Sequence, residues 1–140
     1  MNFLTRNKLR MVEDLTTNGT SEVKSAEVDM AGYEGAVFFC KIATAASGNY
    51  IKVQESDTTT DGDFADLLGT KVVAGTNADV VAVEVYRPGK RYLRASVIRG
   101  TSTVLGEIYC NQYGPAVLPV DNIATGIVSE THISPIAGTA

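Results

Sequence analysis

The chain has 140 residues, with 12 Lys and Arg against 16 Asp and Glu, so its formal net charge is -4. This length suits one domain, which can bury about two-thirds of its surface without disulfide staples. Hydrophobic residues make up 44% of the chain and charged residues 20%, an ordinary globular composition that excludes disorder as its general state. Because an acidic chain lacks the basic footprint of a general nucleic-acid binder, we expect no nucleic-acid partner.

The residues that usually carry chemistry are few. His132 is the one histidine, so a multi-histidine metal site cannot form within one chain. No carboxylate is immediately placed to orient His132 as the base of a catalytic triad. Glycine-rich phosphate loops and the G-x-S-x-G elbow are absent from the sequence. We therefore expect no enzyme, no catalytic residue, no cofactor and no metal site.

The sequence also bears on the compartment. No run of about 18 apolar residues occurs, so we expect no membrane span. Residues 1–15 carry charges without an apolar stretch, and we expect no signal peptide there. We interpret Cys40 and Cys110 as reduced, buried thiols of a chain made in the cytoplasm. A bridge between them is the alternative, which stays open because the sequence does not place them near each other.

The predicted elements in chain order begin with strands. Turn-forming clusters of Gly, Asn, Asp and Pro separate short runs rich in Val, Ile, Tyr, Phe and Thr, a spacing typical of a sandwich or barrel. Two weak strands are predicted near residues 8–15 and 23–30. Residues 35–43 are continuously apolar and indicate a central strand whose facing the pattern leaves ambiguous.

The middle of the chain gives clearer alternation. Residues 49–56 place Ile51 and Val53 inward, with Tyr50, Lys52 and Gln54 outward. Residues 63–68 are the only internal stretch that suggests a helical turn, and it is too short to be stable without packing.

The last predicted strands cover residues 80–86, 92–99 and 103–112. The second of them has Arg94 and Ser96 on the face opposite its apolar residues. The predicted inward residues of the three strands are Val81, Val83, Val85, Leu93, Ala95, Val97, Ile108 and Cys110. These elements predict an all-β protein with an antiparallel β-sandwich in residues 15–113, for which a jelly roll is one candidate topology.

The two ends differ from the middle. Residues 1–14 mix apolar and basic side chains and predict an N-terminal arm or an edge strand. Residues 114–140 hold two charged residues, Asp121 and Glu130, and prolines that interrupt strand pairing. A solvated tail is normally charged and poor in branched aliphatics, so this segment is predicted to be an extended apolar arm lying on its own domain or on a neighbouring chain. Its candidate contact residues are Val117, Leu118, Val120, Ile123, Ile127, Ile133 and Ile136.

Two charged clusters stand out between these ends. Residues 55–66 carry five carboxylates and no base, but they lack the EF-hand spacing, and a β-turn explains them without calcium. Residues 87–99 hold five of the twelve basic residues, and the candidate partner contacts among them are Arg87, Lys90, Arg91 and Arg94. A protein contact and a solvated hairpin that pairs with carboxylates remain alternatives. Both are favoured over nucleic acid because the whole chain is acidic.

Several stretches of the sequence resemble segments of small structural proteins of tailed bacteriophages. They are V-D-M-A-G-Y-E-G-A-V-F (28–38), I-K-V-Q-E-S-D-T-T-T-D-G-D-F (51–64), V-Y-R-P-G-K-R-Y-L-R-A-S-V (85–97) and S-P-I-A-G-T-A (134–140). That group includes capsid decoration, or cement, proteins with β-sandwich or jelly-roll folds. The resemblance covers most of the chain and carries no catalytic motif.

The resemblance implies a structural protein of the virion, made in the host cytoplasm and bound to the major capsid protein on the capsid exterior. It further implies self-association, as a trimer at capsid three-fold positions. A head–tail connector, collar or minor tail protein is the alternative within the same resemblance. A carbohydrate-binding module is a third hypothesis, since sandwiches often serve that role, although the absence of Trp weakens it.

Overall fold

The computed structural model describes residues 2–75, 80–122, 126–134 and 136–139. Apart from one short helix and one 3-10 turn, the regular elements in these ranges are antiparallel strands, which confirms the predicted all-β class. The elements are α1 Phe3–Arg6, β1 Asn7–Glu13, β2 Thr16–Gly19, β3 Val23–Lys24, β4 Val28–Asp29, β5 Gly35–Lys41, β6 Asn49–Ser56, a 3-10 turn Asp61–Asp63, β7 Ala65–Asp66, β8 Val72–Val73, β9 Val80–Tyr86, β10 Tyr92–Arg99, β11 Thr103–Leu105 and β12 Ile108–Tyr113.

The strands form two larger sheets around one core. Sheet I has the order β1-β12-β5-β9. Sheet II has β10 and β6 at its centre, with β3 and β4 along the β10 side and β7 and β8 along the β6 side. Strands β2 and β11 form a separate pair. If the separate β2–β11 pair is left aside, the chain passes from one larger sheet to the other after β1, β4, β5, β8, β9 and β10. Most connections between strands of the two larger sheets therefore cross from one sheet to the other.

The inward faces of both sheets supply the core. Val81 and Val83 are buried as predicted, and so are the predicted inward residues of β6, β10 and β12. In β5, whose facing the sequence left ambiguous, Phe38 and its alternate neighbours are buried, whereas Val37 and Phe39 are only half-buried on the outer face. The period of two thus holds in this central strand, although apolar side chains occupy both faces.

Two local predictions are wrong. The helical turn over residues 63–68 is replaced by the 3-10 turn and β7, because Asp66 pairs with Gln54 of β6 and the Leu67 N–H donates to the Val53 carbonyl at 2.9 Å. Gln54 itself was predicted to point to solvent and is buried. Partners elsewhere in the chain therefore decided this stretch over its local helical tendency.

The N-terminal segment belongs to the sandwich. β1 pairs with β12 from Asn7 opposite Tyr113 to Glu13 opposite Ile108, with one irregularity after Met11. It forms one margin of sheet I, so the sandwich includes residues 7–13, which precede the predicted boundary at residue 15.

Both cysteines are buried in sheet I and both are free. Cys110 lies opposite Phe38 in the register of β12 and β5, which puts Cys40 on the same face two residues further along β5. Burial raises the pKa of each thiol to about 12. Neither thiol is a nucleophile at neutral pH, because the thiolate is the reactive form.

Candidate interaction surfaces

The outer face of sheet II is a polar network. Arg94 of β10 lies at its centre and is buried, with its Nε donating to Gln54 Oε1 at 2.8 Å and its Nη1 donating to Asp61 Oδ1 at 2.5 Å. The guanidinium also stacks over the ring of Phe64, 4.1 Å from the ring centroid. Residues 55–66, which we call the acidic segment, therefore fold back over this face.

Two lysines extend the same network. Lys24 Nζ lies 3.0 Å from Asp61 Oδ1, and Lys52 Nζ lies 2.7 Å from Asp66 Oδ2. Hydrogen bonds from Arg94 and then Lys24 lower the pKa of Asp61, and those from Lys52 and then Gln54 lower the pKa of Asp66. Two of the five carboxylates in residues 55–66, Asp61 and Asp66, are thus paired with basic side chains.

The predicted basic cluster is divided by the fold. Arg94 was predicted to contact a partner, and this prediction is wrong. Its guanidinium is buried against the acidic segment and is not available to a partner. Arg99 is also buried and donates to the carbonyls of Thr17, Ser21 and Thr103, which ties β10 to the small β2–β11 pair. The sequence left two alternatives for this cluster, a protein contact and pairing with carboxylates. Arg94 pairs with a carboxylate, that of Asp61.

The other three cations surround the turn between β9 and β10. Arg87, Lys90 and Arg91 line an open cavity of about 380 Å³ together with Pro88 and with Met30, Ala31, Tyr33 and Glu34. Arg91 is paired with Asp29, Nη2 to Oδ2 at 2.8 Å, and this hydrogen bond lowers the pKa of Asp29. Arg87 adopts φ 51°, a conformation uncommon for a non-glycine residue, and its N–H donates to the Glu34 carbonyl at 2.7 Å.

The outer face of sheet I is largely apolar. Phe39 of β5 and Tyr109 of β12 stack with ring centroids 5.5 Å apart. The side chains that share this face, by the pairing register, are Asn7, Leu9, Met11, Val37, Phe39, Lys41, Val80, Ala82, Glu84, Tyr86, Tyr109, Asn111 and Tyr113. All of these side chains are partly or fully exposed.

A tyrosine crosses this apolar face. Tyr113 of β12 donates a hydrogen bond to Glu84 of β9, across the intervening strand β5. It can do so because Gly35 lies beneath the ring, where a Cβ would overlap the tyrosine and approach the Val85 carbonyl at 2.9 Å. Burial, and then Glu84, raises the pKa of Tyr113 to about 12.

The first part of the C-terminal segment lies on its own domain. The Ala116 N–H donates to the Gly32 carbonyl at 2.8 Å, and the Val120 N–H donates to the Thr5 carbonyl at 3.0 Å. Asn122 Nδ2 donates to the carbonyls of Leu4 and Asn7, and its Oδ1 accepts from the Leu9 N–H at 3.0 Å. Asn122 therefore caps the backbone of Asn7 and Leu9 at the outer margin of β1, and Val120 bonds α1 beside it.

The remaining described part of that segment is exposed. Val128, Ile133 and Ile136 have side chains that are 95–101% exposed, and Ile127 is half-buried. Among the earlier candidate contacts, Val117 and Leu118 are exposed and Val120 is half-buried, while Ile123 lies outside the described residues. His132 lies 2.8 Å from Glu130, which corrects the expectation that no carboxylate is placed beside it, and both side chains are exposed.

Two kinds of feature are absent from residues 2–75, 80–122, 126–134 and 136–139. No cluster of three or more His, Cys, Asp or Glu side chains there could hold a metal ion. Across the same residues, no helix has the length and hydropathy needed to cross a bilayer.

Comparison with solved structures found a similarity to the crystal structure of the SPBc2 prophage-derived protein YomS. The identity is 15% and the TM-score is 0.42, over 81% of this chain and 100% of that protein. No protein-family model and no curated protein matches the chain.

Proposed function

We propose that the chain is a virion structural protein that decorates the capsid shell of a tailed phage by binding the major capsid protein. One observation carries the proposal: the outer face of sheet I and residues 126–134 and 136–139 expose aromatic and aliphatic side chains. On sheet II, by contrast, Arg94, Lys24 and Lys52 bind Asp61 and Asp66 of the same chain. Exposed apolar patches of this kind mark protein contact sites.

Two further features support a structural role. The core includes none of residues 126–134 and 136–139, so their exposed aliphatic side chains are available to a neighbouring molecule. The passage of the chain between two sheets is compatible with the jelly-roll topology that the resemblance to phage decoration proteins implies. Repetition over many symmetric shell sites makes a weak contact per copy sufficient for stable decoration.

The first test measures copy number. Quantitative densitometry of purified virions of the source phage should give hundreds of copies for a decoration protein. A dozen copies or fewer would overturn the proposal and favour a connector, collar or minor tail protein. Absence from virions would reject every virion role, and specific binding on a glycan array would then favour the carbohydrate-binding alternative.

The second test locates the shell-binding side. Phe39→Ser removes a half-buried aromatic side chain from the outer face of sheet I, and Tyr50→Ser removes one from the outer face of sheet II. In co-pelleting with undecorated capsids, we expect the first variant to weaken binding at least tenfold and the second to bind as the parent does. Equal binding by both variants would place the contact elsewhere and refute the proposed side.

A further inference from the structure

The margins of the two sheets are closed in different ways. Sheet II ends on each side in two-residue strands, which offer little backbone to another chain. The β1 margin of sheet I is capped at Asn7 and Leu9 by Asn122 of the same chain. The margin formed by β9 differs, because this strand is seven residues long and pairs only with β5 among the strands that the structure describes.

The register shows which backbone groups of β9 face outward. Residues that exchange hydrogen bonds alternate along an antiparallel pair. The Arg87 N–H bonds the Glu34 carbonyl, so the alternation continues through Val85, Val83 and Val81, which bond β5. The N–H and C=O groups of Ala82 and Glu84 therefore point away from β5, at the open margin.

Residues 127–134 have the composition of a strand without a partner. The sequence I-V-S-E-T-H-I-S contains no Pro or Gly, and four of its eight residues are β-branched. No strand is formed there, and Val128 and Ile133 are almost fully exposed. Eight such residues match the seven of β9 in length.

Chain length decides that the segment must come from another copy. Gly126 lies against Met11 at the β1 margin. The β9 margin is three strand spacings away, about 14 Å at ~4.8 Å each, so crossing the sheet uses at least four residues at ~3.5 Å each. Too few residues before Pro135 would then remain to line the whole of β9 in the same molecule.

We propose that residues 127–134 of one copy add as a strand to the β9 margin of a second copy. Main-chain hydrogen bonds to Ala82 and Glu84 hold the strand, and aliphatic side chains of the segment pack on the outer face of sheet I. Such a contact is head-to-tail and closes into a ring when the rotation permits. The contact itself is independent of the capsid role, whereas a ring of three rests on the proposed function.

A proline in β9 tests the contact. Ala82→Pro removes an N–H that points away from β5, so the sandwich should keep its fold, and Ala82→Val keeps the N–H as the matched control. By analytical ultracentrifugation we expect the parent and Ala82→Val to self-associate and Ala82→Pro to shift at least tenfold towards monomer, with unchanged circular dichroism. A parent that is monomeric throughout, or a folded proline variant that associates like the parent, would overturn the inference.

Disulfide trapping gives a second measurement that does not depend on the proline variant. Chains carrying Ala82→Cys are mixed with chains carrying Ser129→Cys or Thr131→Cys and then oxidised. A crosslink between the two kinds of chain is expected from one of the two pairings, and Lys24→Cys on sheet II should give none. Crosslinking no stronger than that control would contradict the strand exchange; the buried native thiols should not interfere.

The same variants separate this inference from the proposed function. Loss of self-association with Ala82→Pro supports the exchange even if the parent fails to bind capsids, which would reject only the capsid role. Normal self-association of Ala82→Pro with loss of capsid binding would show that the β9 margin takes the capsid protein. That result would overturn the second copy as its occupant.

Discussion

The outer faces of the two sheets differ in their side chains and in how those side chains are covered. On sheet II, Arg94 and its neighbours are covered by the acidic segment of the same chain, and the charges compensate one another. On sheet I, Phe39 and Tyr109 stack beside each other and stay partly exposed, with no such cover among the described residues. The polar face of sheet II is covered within the chain and contributes to stability, whereas the partly open apolar face of sheet I is the side that we propose for association.

The largest expected effect separates the inner and outer faces of sheet I. Val83→Asp puts an unpaired carboxylate into the core and should cost at least about 4 kcal/mol in the free energy of unfolding. Ala82→Asp, one residue away on the exposed face, should leave the domain folded. Urea unfolding followed by circular dichroism measures both variants, and equal loss from the two would contradict the facing of β9.

The next effect concerns the covered face. Arg94→Met removes a buried guanidinium with its hydrogen bonds to Gln54 and Asp61, and we expect a loss of about 2 kcal/mol in the free energy of unfolding. Arg91→Met is the matched control, since its ion pair with Asp29 is exposed and its loss should cost less than the loss of the Arg94 hydrogen bonds. Thermal denaturation at low denaturant ranks the two variants. A larger loss from the Arg91 variant would mean that the network of sheet II does not stabilise the fold.

The smallest effect is the pH dependence, which should differ between the faces. The pKa values of Asp61 and Asp66 lie below 3.8 in the folded protein, so their stabilising contribution is present above pH 3.8 and is lost as the pH falls through the lowered values. The pKa of Tyr113 is raised from 10.0 to about 12, so its contribution is present below pH 10 and is lost towards pH 12.

Chemical shifts of the backbone amides report this difference residue by residue. Acid should perturb amides of the acidic segment first, and alkali should perturb those around Tyr113 and Glu84 first. If acid perturbed the outer face of sheet I at the same pH as the acidic segment, the two faces would not be electrostatically separate.

The alternation of apolar residues was sufficient to predict β6, β9 and β10 with their inward faces, but it left the facing of β5 open and predicted one strand over residues 103–112, where the structure has β11 and β12. Val81 and Val83, Ile51 and Val53, and the apolar residues of β10 are buried where the period of two places them. Each of these assignments depends on neighbours one or two residues away, and burying one face of a pleated strand imposes that pattern whatever the topology. The all-β antiparallel class could therefore be predicted from the sequence.

The burial of Arg94 depends on tertiary contacts, and so does the division of the C-terminal segment into a covered and an exposed part. Arg94 looks exposed in an alternating pattern, but its burial depends on Asp61, which lies 33 residues earlier. The C-terminal segment looks like one arm, yet Asn122 bonds Asn7 across 115 residues, so its first part lies on the β1 margin while Val128 and Ile133 stay exposed. The sequence by itself determined which residues form strands and which sides of them are apolar, because those are local properties. Only the tertiary structure decided which polar groups meet and which sheet margin stays open, because both depend on segments that are distant in sequence.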